Sequence, residues 1–283
     1  MFVFTAAVVG AGTMGGEIAQ TIAAADIPVV LKDVDQNFVQ QGLEKARSIW
    51  QARVDAGKLD PAERDRQLAL ITGTTGYEAF GDVDFVIEAV PERMEIKQTV
   101  FAELDEVTPG HAILASNTSS LSITEIGEAT GRPDRVVGFH YFYPASMMRV
   151  IEIVEGQDTS VETAQSAANF AAAIRKLPIR CGEAPGFVVN RILNAAVSEL
   201  WRYQAETGMA IPELDRAVTE AKAAPMGPFY LTDLLGLDTV LHVVEHLHEA
   251  YGERFFVHPE MQALVAAGDL GAKTGKGFYE HSR

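Results

Sequence analysis

The amino-acid sequence predicts an α/β fold, in which a doubly wound, mostly parallel sheet is followed by a smaller, all-helical domain. Up to about residue 154, short runs of β-branched residues alternate with helical patterns, and this alternation is typical of parallel sheets. After residue 183 the apolar residues recur with helical periodicity. The turn-rich stretch CGEAPG at 181–186 separates the two patterns. We therefore predict domains over residues 1–182 and 183–283, with a ligand cleft at their interface.

Six runs in the first domain have the length and composition of strands. In chain order they are FVFTAAVV from Phe2, IPVVLKD, VDFVIEAV, AILASNT, RVVGFHYF and RVIEIVEG. The helical patterns of this domain are EIAQTIAAA, FVQQGLEKARSIWQARVDAG, PERMEIKQTVFAELDEV, SITEIGEATG and the stretch from Val161 to Ile174. The last two of the six strands follow each other after a short loop, so we expect an antiparallel pair. A further short strand signal lies near Leu177–Arg180.

The second domain contains four helical patterns. They are GFVVNRILNAAVSELWRYQAETG, IPELDRAVTEAKA, LLGLDTVLHVVEHLHEAYG and HPEMQALVAAG.

Composition and charge exclude several classes of protein. A net charge of -16 disfavours a nucleic-acid partner, because affinity for phosphate backbones comes from clustered Lys and Arg. The longest apolar runs are shorter than the ~20 residues of a membrane span, and the first predicted strand leaves no room for a targeting peptide. The single cysteine, Cys181, excludes an internal disulfide and fits a reducing compartment, so we expect a cytoplasmic protein.

The first strand is followed by the glycine turn GAGTMG, which opens a helix and comprises Gly10, Gly12, Thr13, Met14 and Gly15. In this arrangement the first glycine permits a tight turn and the second lets the backbone approach a pyrophosphate. The third lets the helix and the strand pack closely. The N-terminus of the helix supplies N–H groups and a partial positive charge. These features together predict a Rossmann-type dinucleotide site.

An acidic residue about 20 positions after the glycine turn determines which dinucleotide is preferred. Asp33 ends the second predicted strand at about this spacing from Gly12. Its carboxylate would accept hydrogen bonds from the ribose hydroxyls and repel a 2′-phosphate, so the predicted cofactor is NAD rather than NADP. Asp35 is the alternative acid, and the neighbouring Lys32 could weaken the rejection of NADP.

Eight sequence blocks occur in order along nearly the whole chain. They are GAGTMG at 10–15, EAVPE at 88–92, SNTSSLSITEI at 116–126, GFHYFYP at 138–144, VIEIVEG at 150–156, PGFVVNR at 185–191, PMGPF at 225–229 and KTGKGFY at 273–279. The set resembles the L-3-hydroxyacyl-CoA dehydrogenase family of fatty-acid β-oxidation. VVLKD and GKLD are also similar to the dehydrogenase portion of multifunctional β-oxidation enzymes. The resemblance implies NAD-dependent oxidation of an L-3-hydroxyacyl-CoA to the 3-oxoacyl-CoA. It also implies a homodimer, which would form through the apolar helices of the second domain.

Hydride transfer from a secondary alcohol needs a base for the hydroxyl proton, and imidazole suits this role because its ordinary pKa is about 6.5. His140 ends the strand VVGFH, and Glu152 lies inside the next strand. A strand, a loop and a returning strand could bring the two side chains together. A carboxylate beside an imidazole fixes its tautomer and stabilises the imidazolium. The resemblance implies that His140 is the catalytic base and Glu152 its partner.

Other site residues follow from the same resemblance. Ser119 and Asn190 match polar residues near the reacting oxygen, to which they would donate hydrogen bonds. Glu92 and Lys97 match residues near the nicotinamide half of the cofactor. The alternative interpretation is that both are ordinary exposed residues in the first turn of a helix. Asn117 is assigned to the cofactor, with ordinary loop formation as its alternative.

One position departs from the family pattern. The family commonly has Asn before the proline of this block, whereas this sequence has Tyr143 before Pro144. Tyr143 keeps a hydroxyl but lacks the paired donor and acceptor of an amide, which leaves the contacts beside His140 and the preferred acyl chain open. Tyr143 is nevertheless expected to contact the substrate. The nucleotide end of CoA is expected along the segment from Arg47 to Lys58, with Lys58 as a contact.

Three histidines of the last long helical pattern could suggest a metal site. His242 and His246 lie one helical turn apart, near His248. No third ligand is evident, and the order differs from H-E-x-x-H, so we predict no metal.

Two further functions stay open. One is a dehydrogenase of a small hydroxy acid without CoA, which is considered because Tyr143 replaces the Asn of the family pattern. The other is a non-catalytic NAD-binding or structural protein. The presence of His140, Glu152, Ser119 and Asn190 together argues against the second.

Overall fold

A computed structural model describes residues 2–281. Residues up to Glu183 form one compact unit, and residues from Ala184 onward form a second. The sequence placed the division one residue earlier, between residues 182 and 183. No helix of the described part of the chain is long and apolar enough to cross a membrane.

The first unit is built on a sheet. Its eight strands within residues 2–281 are β1 (Ala6–Val9), β2 (Val29–Lys32), β3 (Ile71–Thr74), β4 (Phe85–Glu88), β5 (Ile113–Ser116), β6 (Val136–Tyr141), β7 (Val150–Glu155) and β8 (Leu177–Gly182). Across the sheet they stand in the order β3-β2-β1-β4-β5-β6-β7-β8. Neighbouring strands are parallel except β6 and β7, which pair antiparallel. The predicted doubly wound, mostly parallel sheet and its antiparallel pair are confirmed.

Helices join most of the parallel strands. They are α1 (Gly15–Ala23), α2 (Gln36–Asp55), α3 (Pro61–Leu68), α4 (Met94–Val107), α5 (Ile123–Gly127) and α6 (Val161–Ala173), with a single 3-10 turn at Pro133–Arg135. Four of these helices begin at a side chain that accepts a backbone N–H bond, which satisfies a donor of the first turn. The capping residues are Asp35, Asp60, Ser122 and Ser160.

The core of the first unit lies on both faces of the sheet. Every residue of β1 and β4 is buried, as expected for parallel strands covered by helices on both sides. Phe85 of β4 packs against Phe170 of α6 and Phe139 of β6, with ring centroids 4.5 and 5.2 Å apart. The reversal of strand order between β1 and β4 leaves a crevice at their carboxyl ends, which is where ligands bind to sheets of this kind.

The second unit is helical, as predicted. Its helices are α7 (Val189–Thr207), α8 (Ile211–Glu220), α9 (Pro228–Leu235), α10 (Leu237–Tyr251) and α11 (Pro259–Ala267), with a 3-10 turn at Gly252–Arg254. Its core contains Trp201, Phe229, Leu237, Val244 and Phe255.

Two buried aspartates organise the loops of the second unit. Asp215 accepts hydrogen bonds from three donors, which are the N–H groups of Phe229 and Tyr230 and the hydroxyl of Tyr279. Asp233 also has three partners, which are the N–H groups of Phe278 and Tyr279 and the ring of His281. A Cβ atom at Gly227 or Gly277 would collide with these carboxyl groups. The blocks PMGPF and KTGKGFY thus have a structural explanation inside this unit.

Three elements were not predicted, namely β3, α3 and α9, and the predicted patterns covered only residues 234 and 235 of α9. Strand β3 contains Gly73 and two threonines, is partly exposed and lies at the edge of the sheet, so it has no buried apolar run. Helix α3 is rich in charged residues, although Asp60 as its cap and Pro61 in its first turn are ordinary helix start signals.

Three predicted boundaries were wrong. Strand β1 begins at Ala6 rather than Phe2, and β8 extends through Cys181 to Gly182 into the stretch read as a turn. The long pattern from residue 234 to residue 252 is not one helix. Gly236 has a φ of 95°, which is incompatible with a continuous right-handed helix, and it separates α9 from α10.

Candidate active site

The glycine turn follows β1 at the crevice. Gly10 has a φ of 102°, and a Cβ atom there would lie 2.5 Å from the carbonyl oxygen of Ala89. A Cβ atom at Gly15 would lie 1.7 Å from the carbonyl oxygen of Gly10. The packing of the chain itself therefore excludes side chains at both positions.

Gly12 differs from the other two glycines of the turn. A Cβ atom there would meet no protein atom within 4 Å. The absence of a side chain is thus not explained by packing within the protein, and it leaves space beside the N-terminus of α1. Met14 at the start of α1 makes no side-chain capping bond. The turn therefore fits a pyrophosphate, which needs backbone N–H groups and close approach.

Asp33 lies immediately after β2 and contacts the glycine turn. Its Oδ2 accepts a hydrogen bond of 2.6 Å from the N–H of Ala11. Asp35 instead caps α2 by accepting a hydrogen bond from the N–H of Asn37. Lys32 is buried, with its ammonium 4.2 Å from the ring centroid of Tyr77. Of the two acids considered from the sequence, Asp33 is the one beside the turn.

A buried ion pair lies at the end of β4. Lys97 Nζ is 2.7 Å from Glu88 Oε1, and the two side chains are 1% and 0% exposed. Ser116, opposite Glu88 at the end of β5, donates a hydrogen bond of 2.6 Å to its other oxygen. Burial raises the pKa of the Glu88 carboxyl, although the charge of Lys97 and these hydrogen bonds oppose the rise. Lys97 is therefore not part of an exposed helical turn, which was the alternative considered for it.

Glu92 connects this ion pair to the loop of Ser119. It lies 3.1 Å from Lys97 Nζ and accepts hydrogen bonds from the hydroxyl of Thr118 and the N–H of Ser119, at 2.5 and 2.9 Å. Burial alone would raise the pKa of Glu92, but Lys97 and these donors outweigh it and lower the pKa. The side chain of Glu92 thus holds the backbone of Ser119 in place.

Asn117 connects three neighbouring strands. Its N–H donates to the carbonyl of Glu88, and its side-chain oxygen accepts a hydrogen bond of 2.9 Å from the N–H of Tyr141. These are the bonds of a loop-forming residue, which was its alternative reading, and they also fix the strand end next to His140.

His140 and Glu152 face each other across β6 and β7. The antiparallel register pairs the two residues directly, so their side chains lie on one face of the sheet. His140 Nδ1 is 2.7 Å from Glu152 Oε2, and both side chains are buried. The carboxylate accepts the Nδ1–H bond, which places the lone pair of the imidazole on Nε2. An imidazole held in this way by a carboxylate can act as an oriented general base.

The remaining assigned residues are more dispersed. Tyr143 lies in the loop after His140, forms a cis peptide bond with Pro144 and is half-exposed. Lys58 is exposed in the turn after α2. Asn190 belongs to the second unit, in the first turn of α7, where its carbonyl accepts a hydrogen bond from Asn194.

The histidines of α10 do not form a metal centre. Among residues 2–281, no group of three or more His, Cys, Asp or Glu side chains could hold a metal ion. His248 Nδ1 is 2.8 Å from the carbonyl oxygen of Phe255, an internal bond of the second unit.

Three buried charged residues of the first unit were not singled out from the sequence. Glu88 stands in the apolar strand FVIE, and a charge in such a run is a signal that could have been noticed. Glu17 and Lys176 are also buried, but they lie in stretches where a charge is ordinary.

Comparison with known proteins identifies the family. Residues 5–184 match the model of the NAD binding domain of 3-hydroxyacyl-CoA dehydrogenase, and residues 186–281 match the model of its C-terminal domain. The chain belongs to the 3-hydroxyacyl-CoA dehydrogenase family. It is thus an oxidoreductase that acts on a CH–OH group with NAD as its cofactor, and these predictions are confirmed.

Individual members of the 3-hydroxyacyl-CoA dehydrogenase family match over the full length. A 3-hydroxybutyryl-CoA dehydrogenase of Clostridioides difficile is 40% identical over 278 residues, which is 98% of this chain and 99% of that protein. The crystal structure of (S)-3-hydroxybutyryl-CoA dehydrogenase from Ralstonia eutropha is 36% identical, with a TM-score of 0.94 and coverage of 100% of both chains. A solved diketoreductase, described as acting on dicarbonyl compounds, is 28% identical, with a TM-score of 0.83 and coverage of 99% of this chain and 100% of that chain.

Proposed function

We propose that the chain oxidises an L-3-hydroxyacyl-CoA to the 3-oxoacyl-CoA, reversibly, with His140 as the general base and Glu152 as the residue that orients it. The observation that carries the proposal is the 2.7 Å contact between His140 Nδ1 and Glu152 Oε2. With Nδ1–H donating to this carboxylate, Nε2 would be the atom that takes the proton of the substrate hydroxyl, and the buried carboxylate would stabilise the imidazolium that results. NAD, when bound, accepts the hydride from C3 of the substrate. The alcohol thereby loses one proton and one hydride.

The cofactor contacts are proposed for three groups of residues. The pyrophosphate would meet the glycine turn, which comprises Gly10, Gly12, Thr13, Met14 and Gly15. Asp33 would accept hydrogen bonds from the ribose. The nicotinamide half would lie near Glu92, Lys97 and Asn117, which the ion pair with Glu88 and the bond to Tyr141 hold in place.

The substrate contacts are proposed for four residues. Ser119, held by Glu92, and Asn190 would donate hydrogen bonds to the reacting oxygen. Tyr143 would contact the acyl chain, and Lys58 the nucleotide end of CoA. The names of the full-length relatives support a short substrate, 3-hydroxybutyryl-CoA.

A second candidate is reduction or oxidation of a small carbonyl compound without CoA. The structural similarity to the diketoreductase favours it, and so does the exposed Tyr143, three residues after the proposed base. The two candidates share the base and the cofactor, and they differ only in what binds around them.

The absorbance of NADH distinguishes the two candidates. We expect the purified chain to consume NADH with acetoacetyl-CoA and not with free acetoacetate. Turnover of the free acid without turnover of the thioester would contradict the CoA assignment. Tight NADH binding without turnover of any 3-oxoacyl-CoA would favour a non-catalytic role.

We also propose that the chain is a homodimer in the cytoplasm. Exposed apolar side chains on the helices of the second unit support the dimer, among them Ile192, Tyr203, Tyr230 and Leu234. The single cysteine of the chain fits a reducing compartment. Sedimentation equilibrium over a range of concentrations tests the dimer, and a monomer throughout would contradict it.

A further inference from the structure

The loop between β6 and β7, residues 142–149, follows His140 and carries Tyr143. It exposes three large apolar side chains, because Tyr143, Met147 and Met148 are 51%, 76% and 42% exposed. Apolar side chains exposed on the loop that follows a proposed catalytic base are suited to contact an acyl chain. The position of this loop therefore matters for substrate binding.

A buried lysine holds the backbone of this loop. Lys176, just before β8, donates hydrogen bonds of 2.5 and 2.8 Å to the carbonyl oxygens of Ala145 and Met148. Burial lowers the pKa of this ammonium group, although the carboxylate of Glu17 opposes the change. A buried ammonium needs such acceptors, so the loop backbone is tied to it.

A buried carboxylate also holds this loop. Glu17 is 2% exposed, and its Oε2 accepts hydrogen bonds of 3.1 and 3.3 Å from the N–H and the hydroxyl of Ser146. Its Oε1 lies 3.2 Å from Lys45 Nζ. Glu17 stands in the first turn of α1, two residues after Gly15. One side chain thus joins the cofactor turn to the loop that follows the base.

We propose that Glu17 is a positioning residue that couples the binding of NAD to the binding of the acyl-CoA, an inference that rests on the proposed function. A pyrophosphate at the glycine turn restrains the first turn of α1, and with it Glu17 and Ser146. A substrate that meets an already restrained loop loses less conformational entropy on binding, so the two ligands bind with positive cooperativity. By thermodynamic linkage, each ligand lowers the dissociation constant of the other by the same factor.

NAD and acetoacetyl-CoA measure this coupling without turnover, because both are the oxidised partners of the reaction. Titration calorimetry gives the dissociation constant of acetoacetyl-CoA without NAD and with saturating NAD. For the wild-type chain we expect NAD to tighten acetoacetyl-CoA binding by at least about fivefold. For Glu17→Ala we expect the ratio to fall below about twofold. Glu162→Ala, which removes an exposed acid from the first turn of α6, is the matched control and keeps the wild-type ratio.

A Glu17→Ala protein with the wild-type ratio would overturn the proposal, and so would a wild-type chain that binds both ligands independently. Ser146→Ala is a second variant in case Glu17→Ala does not fold. It removes the hydroxyl contact and keeps the N–H contact, so we expect an intermediate ratio, and an unchanged ratio counts against the proposal. A wild-type chain that binds NAD but not acetoacetyl-CoA would refute the proposed function itself, together with this inference.

Discussion

Gly12 and Gly15 lack a side chain for different physical reasons, and this difference can be tested residue by residue. A Cβ atom at Gly12 would meet no protein atom within 4 Å, whereas one at Gly15 would lie 1.7 Å from the Gly10 carbonyl oxygen. We expect Gly12→Ala to weaken NAD binding by about tenfold or more, which is ~1.4 kcal/mol, because the methyl group occupies the space proposed for the pyrophosphate. Its melting temperature should stay close to that of the wild type. Fluorescence titration with NADH and thermal unfolding measure both quantities.

Gly15→Ala is the counterpart, because its methyl group collides with backbone that cannot move aside. We expect this variant to be strongly destabilised or insoluble. A Gly12→Ala protein that binds NADH as the wild type does would show that the dinucleotide lies elsewhere.

His140 can be separated from the cofactor site by a single substitution. We expect His140→Gln to lower kcat by at least ~10²-fold and to leave NAD affinity nearly unchanged, because the imidazole takes the substrate proton and does not bind the dinucleotide. His111→Gln is the control, since His111 is exposed and its Nε2 lies 3.1 Å from Asp84 Oδ1. Steady-state kinetics and NADH titration on the three proteins test this. Loss of NADH binding in His140→Gln would mean that the residue is structural.

At the scale of elements, the strands and helices were predictable wherever a buried apolar run or an amphipathic stripe specified them. β1 and β4 are fully buried, and their sequences show it. β3 lies at the sheet edge and was missed, because its pairing with β2 comes from tertiary contacts rather than from an apolar run of its own. Gly236 divides α9 from α10 although the apolar periodicity continues across it.

The candidate site was likewise predictable only where the sequence itself carries the signal. The positions of His140 and Glu152 on two consecutive strands could be predicted from the sequence, whereas their pairing was implied by the resemblance to the family. The antiparallel register places the two residues opposite each other. The contacts among Glu88, Lys97 and Glu92 could not be predicted, since they depend on how the end of β4 meets the first turns of α4. Ion pairs between elements that come into contact only in the folded chain produce no periodic pattern in the sequence.

Among the elements of the second unit, α11 and its preceding loop carry a pH-dependent contribution to stability. Burial lowers the pKa of His258 below 6.5, and its Nε2 lies 2.8 Å from Gln204 Oε1. As the pH falls through 6.5, the unfolded chain binds a proton that the folded chain resists, so stability is lost from that pH down to the lower pKa of the folded state. One group contributes at most about 1.4 kcal/mol per pH unit to this slope.

His258→Gln tests this contribution. We expect the variant to melt at a lower temperature than the wild type near pH 7.5, because it loses the packing of His258 against Phe229 and Phe278. Between about pH 7.5 and about pH 5.5 its melting temperature should then fall by less than that of the wild type. An equal or larger fall would place the acid sensitivity elsewhere.

At the scale of the whole molecule, the eight family blocks divide by the unit that they serve. PMGPF and KTGKGFY surround Asp215 and Asp233 and maintain the helical unit. GAGTMG, EAVPE and GFHYFYP lie at strand ends of the first unit, together with the proposed cofactor contacts and the base. PGFVVNR carries Asn190, the proposed substrate contact of the second unit. Cofactor binding and substrate binding should therefore differ in whether they protect the first turn of α7, around Asn190.

Hydrogen exchange read by mass spectrometry tests this division. NAD at a hundredfold excess over its dissociation constant adds about 2.7 kcal/mol to the stability of the state that binds it. All its proposed contacts, from Gly10 to Asn117, lie in the first unit, so we expect slower exchange in the glycine turn and around residues 88–97, with little change in residues 184–281. Adding acetoacetyl-CoA to NAD should then slow exchange in the first turn of α7, around Asn190. Equal protection of both units by NAD alone contradicts this assignment, and an unprotected first turn of α7 in the ternary complex removes Asn190 from the substrate contacts.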